Sequence, residues 1–220
     1  MPSACCLRAA FSLTRERMQG SASPRLSAKG LACRRGDRLL FRGLSLELRG
    51  GEALHITGAN GTGKTTLIRV LSGLTSPYSG EIEREGMIGL LDERPALDPD
   101  LPLQKSLQFW ERVDGCEDPA SAIDSLGLTP LLDVPVRYLS TGQRKRAGFA
   151  ALLNRRASIW LLDEPLSGLD SGAIDQVTTL IREFIQGGGL TIIASHQPLD
   201  ILGMQTLAIE GFAPSLDESV

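Results

Sequence analysis

The sequence predicts an α/β fold: a mostly parallel sheet with helices on both faces, an antiparallel β region ahead of it, and a small helical insert. Three observations carry this. Strands and helices alternate in the last third of the chain, as a parallel sheet requires. A glycine-rich loop joins a short apolar strand to a helix with one apolar face. The residues from Leu39 onward alternate apolar with polar, the period of a half-buried strand.

Taken in order, the first element is the β-like run from Leu39, with Leu44, Leu46 and Leu48 on one face. A Gly50-Gly51 turn leads into the strand Ala53–Thr57. Past the glycine-rich loop, Leu67, Ile68, Leu71 and Leu74 fall on one helical face. Pro77 and Gly80 break the chain, and short strands follow around Glu81–Glu83 and Met87–Leu91. From about 95 to 136, short helices separated by prolines form an insert too small to bury a core alone. The chain then returns to alternation: helix Gly142–Asn154, strand Ile159–Leu162, helix Ala173–Gln186, a Gly187-Gly188-Gly189 stop, and strand Leu190–Ala194. The folded domain is expected over 26–213, with a tail at 214–220.

Residues 1–25 stand apart, rich in Ser, Ala and Arg with one acid, Glu16. That composition fits an organelle transit peptide, a flexible tail, or a start codon placed too far upstream, with Met18 as the true start. The lack of an apolar core argues against a secretory signal. No run approaches the ~18–20 apolar residues that span a bilayer, so any membrane role goes through a partner. A net charge of −3 and 5% aromatic residues disfavour a nucleic-acid partner. The four cysteines (Cys5, Cys6, Cys33, Cys116) form no CxxC and there are two histidines, which points to reduced thiols and away from zinc.

The chemistry concentrates in three segments. Gly58-Ala59-Asn60-Gly61-Thr62-Gly63-Lys64-Thr65, followed by Thr66, matches GxxxxGK[ST]. The glycines let backbone N–H groups wrap a phosphate chain, and the helix starting at Lys64 adds its positive end. Lys64 supplies charge to the β- and γ-phosphates, and Thr65 is placed to ligate Mg²⁺. Second, the apolar run Ile159–Leu162 ends in Asp163 and Glu164. Beside a phosphate loop, Asp163 would hold the metal shell and Glu164 would orient or deprotonate the attacking water.

Third, Ser140 and Gln143 form an S-x-x-Q capping box that starts a helix. Its first turn carries Arg144, Lys145 and Arg146 at the positive end of the helix dipole. Either solvent screens these cations or an anion docks there. One chain would then own two phosphate-binding helix ends and one phosphate loop, which a head-to-tail pair of chains resolves.

The order GANGTGKT, LSTGQ, LLDEP, SGLD and a histidine after a strand resembles the ATP-binding cassette family over nearly the whole folded chain. The resemblance implies a P-loop NTPase fold with a RecA-like sheet and a helical subdomain. It implies ATP and Mg²⁺ as ligands, and a second copy of the chain as partner. It implies that Ser140 and Gly142, with Gln143 beside them, contact the γ-phosphate across the dimer. Ser167–Asp170 becomes the loop coupling the protomers, and His196 the switch residue on the γ-phosphate. The catalytic set is then Glu164, His196 and Lys64, with Thr65, Asp163 and Glu93 around the metal. Two departures stand out. Glu93 occupies the place where the family usually has Gln. The usual adenine-stacking aromatic is absent from Cys33-Arg34-Arg35-Gly36-Asp37, where an arginine face could substitute.

Finer cues, "LACRRGDRLLFRGLSLEL", "LQFW", "LSTGQRKR" and "SHQPL", resemble the ATP-binding subunits of cytochrome c biogenesis systems. That implies a peripheral position on the cytoplasmic face of the inner membrane, beside an integral permease subunit linked to haem handling. The alternatives are a cassette for a lipoprotein, metal or peptide cargo, a non-transport cassette on DNA or ribosomes, and a catalytically dead clamp. Glu164 and His196 argue against the last.

Overall fold

The computed structural model describes residues 23–114, 119–155 and 157–214. Of the expected tails at 1–25 and 214–220, residues 1–22 and 215–220 lie outside them, as do Cys5, Cys6 and Cys116. Two strands open the fold, β1 (Arg25–Arg35) and β2 (Arg38–Arg49), joined by a tight turn in which Gly36 has φ 60°. They pair antiparallel, and β1 pairs antiparallel on its other side with β4 (Ser79–Glu85). The sequence reading began this β region at Leu39 and missed β1, whose buried residues come in runs and not in strict alternation.

The second sheet is parallel throughout, in the order β5-β6-β7-β3-β8. Its strands are β3 (Ala53–Thr57), β5 (Ile88–Leu91), β6 (Ile159–Asp163), β7 (Leu190–Ala194) and β8 (Gln205–Ala208). Every residue of β6 and β7 is buried, as expected for strands covered on both faces. The helix after the glycine-rich loop, α1 (Lys64–Ser72), buries Leu67, Ile68 and Leu71 between the two sheets. It stops at Gly73, whose φ of 87° supplies a left-handed cap, so Leu74 lies beyond the helix and is exposed, not on its apolar face.

The insert contains α2 (Leu103–Asp114) and α3 (Pro119–Ser125). Both pack on α4 (Thr141–Asn154), so α4 is shared between the insert and the parallel sheet. The insert's Leu103, Leu107 and Leu126 belong to the same core as Phe149, Trp160 and Leu180. On this side α5 (Ser171–Gln186) covers the sheet, and Phe184 stacks on Trp160 with centroids 3.8 Å apart and planes 6° apart. Among the described residues no helix is long and apolar enough to cross a membrane.

Candidate functional site

The sheet order places the end of β3 two strands from the end of β6, with β7 between them, so the three C-terminal ends form one rim. Gly58, Gly61 and Gly63 adopt φ of 150°, 80° and 109°, which wraps the loop around an open centre. Gly63 is the N-cap of α1, and no side chain caps that end. The first amides of α1 are therefore offered to an anion. Lys64 is 7% exposed and folds back, its Nζ donating to the carbonyls of Gly58 (2.6 Å) and Ala59 (3.0 Å). Thr62 Oγ1 donates to Ala59 O at 2.8 Å and braces the turn.

Across from the loop, Asp163 closes β6 and is 1% exposed. Both of its carboxylate oxygens are buried without a hydrogen-bond partner. Burial pushes its carboxyl above the ordinary value, the facing Thr65 hydroxyl pulls it back, and the charges of Asp92, Glu164 and Glu93 raise it further. An orphaned, buried carboxylate facing a hydroxyl beside a phosphate loop fits a divalent cation. Among the described residues no cluster of three or more His, Cys, Asp or Glu could hold a metal unaided. A cation held there would need phosphate oxygens and water to complete its shell.

Glu164 is the one non-glycine among the described residues with positive φ, at 46°. Its N–H donates to Ala194 O at 2.8 Å, which pins this strained turn to the end of β7. The turn aims the carboxylate at His196, with Nδ1 to Oε2 at 2.9 Å, and Ser195 Oγ donates to the same oxygen at 3.4 Å. The expected catalytic pair is thus brought together. Glu93 is exposed at the end of β5. Its neighbour Asp92, which the sequence reading did not single out, carries the largest charge effect on Asp163 and pairs with Arg69 at 2.8 Å.

The second helix end forms as the capping box requires. Gln143 N–H donates to Ser140 Oγ at 3.2 Å, and Ser140 N–H donates to Gln143 Oε1 at 2.8 Å. Ser140 is exposed. Gly142 lies against the Ser167–Asp170 loop so closely that a Cβ there would sit 2.6 Å from Gly168 O. The three cations of this turn do not form a single patch. Lys145 is 2% exposed and turns into the protein, Arg146 donates to Leu126 O at 2.9 Å, and Arg144 lines a cavity with Glu93 and Ser167. Burial pushes the Lys145 ammonium below the usual lysine value, against the opposing pull of Asp163, Glu93, Glu164 and Asp92.

Beside the phosphate loop, Gly61 and Thr62 border a cavity of about 630 Å³. Arg34 and Tyr78 line it, the guanidinium 4.9 Å from the ring centroid. Phe41 is fully buried and presents no face to this cavity. Glu210 also lines it, and its Oε1 accepts the Ala59 N–H at 2.5 Å. The sequence reading missed Glu210, because nothing near it marks a contact with a loop 151 residues earlier.

The family model described as ABC transporter matches residues 41–167, more than half of the chain and the whole of this rim up to Ser167. The chain belongs to the ABC transporter family. Among curated relatives, this ABC chain is 52% identical to the cytochrome c biogenesis ATP-binding export protein CcmA of Novosphingobium aromaticivorans, over 86% of its own length and 97% of the relative's. The protein of the same name from Zymomonas mobilis is 45% identical, over 93% of each chain. Among solved structures, an inward-facing metal-chelate type ABC transporter superposes with a TM-score of 0.71 at 26% identity, over 84% of this chain and 80% of that one. CbiO1 of Clostridium perfringens, part of the ABC transporter complex cbiONQ, gives 0.63 at 26% identity over 78% of each.

Proposed function

We propose that this chain is the ATP-hydrolysing subunit of an ABC export complex serving cytochrome c biogenesis, working as a pair of copies on the cytoplasmic face of the inner membrane. Membership of the ABC family and the names of its relatives support the cellular role. The chemistry rests on the rim: an uncapped helix end behind a glycine loop, facing an orphaned carboxylate and a glutamate already paired with histidine.

In this reading the triphosphate lies along Gly58–Thr66, with Lys64 leaving its own carbonyls for the β- and γ-phosphates. Thr65 and Asp163, with Glu93 nearby, would hold Mg²⁺, which would offset the phosphate charge when bound. Water attacks the γ-phosphorus, the bond to the bridging oxygen breaks, and Glu164 takes the water's proton. His196 holds the Glu164 carboxylate in position and faces the γ-phosphate. The cavity beside the loop and the cavity at the head of α4 share no lining residue. Ser140, Gly142 and Gln143, none of which lines the cavity beside the chain's own loop, serve a nucleotide on a second copy, with Ser167–Asp170 between the two sites.

The pairing is tested by sedimentation of a hydrolysis-blocked Glu164→Gln chain with ATP. It should shift from monomer to dimer, and adding Ser140→Arg should abolish the shift. A dimer that forms regardless of Ser140→Arg contradicts the reading.

The base sits in the cavity against Arg34 and Tyr78. Removing the ring with Tyr78→Ala should weaken ATP binding by about 1–3 kcal/mol, the worth of one stacked base. Titration with inorganic tripolyphosphate should be unaffected, since it lacks a base. Equal losses for both ligands would show that Tyr78 does not touch the base. A separate apolar groove between the sheet and the insert, lined by Leu74, Leu90, Leu97 and Trp110, suits an apolar segment of the permease.

A further inference from the structure

Lys145 is a buried cation that the hydrolytic scheme does not use. It is the fifth residue of α4, just past the first turn and five residues after the exposed Ser140, yet only 2% of it reaches solvent. Its Nζ donates to the main-chain carbonyls of Glu93 at 3.3 Å and Asp163 at 3.4 Å. The first lies two residues past β5 and the second ends β6, so both belong to the segments that carry the acids of the metal rim. Burying an ammonium is expensive, and here the two carbonyls it bonds and the surrounding acids offset that cost. The ammonium therefore connects the head of α4 to both acid-bearing segments.

That connection joins two surfaces with different clients. The head of α4 carries Ser140 and, through Gly142, the Ser167–Asp170 loop. The ends of β5 and β6 carry Glu93 and Asp163 at the chain's own nucleotide. We infer that Lys145 is a positioning residue that ties the partner-facing head of α4 to the metal rim of its own chain, so that filling one nucleotide site sets the helix end which completes the other. This rests on the paired-copy reading above. Linkage makes the effect reciprocal: closure on the partner's nucleotide also holds Glu93 and Asp163 in place.

The test uses the full chain carrying Glu164→Gln, with Lys145→Met added to remove the tie and keep the bulk. ATP binding to the folded monomer should be unchanged, although the melting temperature falls because two carbonyls and the nearby acids lose their partner. The affinity of the ATP-dependent dimer, read by sedimentation, should fall about tenfold, a typical coupling between sites. Lys145→Gln keeps an N–H donor and should fall between the two. A purely structural lysine would instead lower monomer ATP binding as much as dimer affinity, and that outcome overturns the inference. So does a dimer as tight as the parent's when Ser140→Arg still abolishes it. If Ser140→Arg has no effect, the paired-copy reading fails and this inference goes with it.

Discussion

Glu164→Gln should lower ATP turnover by about 10²–10⁴-fold, the usual worth of a positioned general base, while ATP still binds. The substitution keeps the shape of the side chain and so keeps the left-handed turn at φ 46° and its N–H bond to Ala194 O. The amide can still accept from Ser195 and meet His196 Nδ1. What it loses is the capacity to take a proton from water. The expected signature is a split: ATP is held between two copies and phosphate is not released. Turnover measured with the membrane partner, alongside sedimentation of the isolated chain, checks both halves. Wild-type turnover in the variant would sink the assignment of Glu164, and the chemistry would have to be sought elsewhere on the rim.

Asp163→Asn should separate stability from activity in the opposite sense. The native carboxylate is buried with the Thr65 hydroxyl facing it but neither oxygen in a well-formed hydrogen bond, a cost of about 1–3 kcal/mol for an unsatisfied group and more when it is charged. Removing the charge should therefore raise the metal-free melting temperature, while Mg²⁺-dependent hydrolysis is lost. The pH dependence has a definite sign. Burial raises the folded-state value of Asp163, so the stability tied to its protonated form is full below the ordinary carboxylate value. It is lost as pH rises through the folded-state value. The variant's advantage should thus grow toward neutral pH and shrink in acid, by thermal melts in chelator. Adding Mg²⁺ with nucleotide should reverse the order by stabilising the native chain alone. A variant that melts below the native protein in chelator at neutral pH would show that Asp163 has a partner after all.

Local chemistry was legible in the sequence wherever the deciding contacts are local. The Ser140–Gln143 box, the glycine loop, and the strands Ala53–Thr57 and Leu190–Ala194 each follow from residues within a few positions of one another. What escaped notice depends on distant partners. Lys145 looks like Arg144 and Arg146 until the ends of β5 and β6 are placed beside it. Glu210 gains meaning from an amide at Ala59. β8 is four residues long and largely exposed at the sheet edge, so it shows neither period nor apolar run. Leu74 fits the helical face in spacing, but the left-handed Gly73 ends the helix before it.

The strand order also constrains how the molecule is made. β3, with the phosphate loop, leaves the ribosome well before β6 and β7, yet those late strands must slot between β5 and β3. Until residues near His196 have been synthesised, the early strands have a gap where their neighbours belong, and a nascent chain carries a nucleotide loop with no opposing wall. The exposed sides of β5 and β3 must wait for long-range pairing, the slow and aggregation-exposed step for parallel sheets.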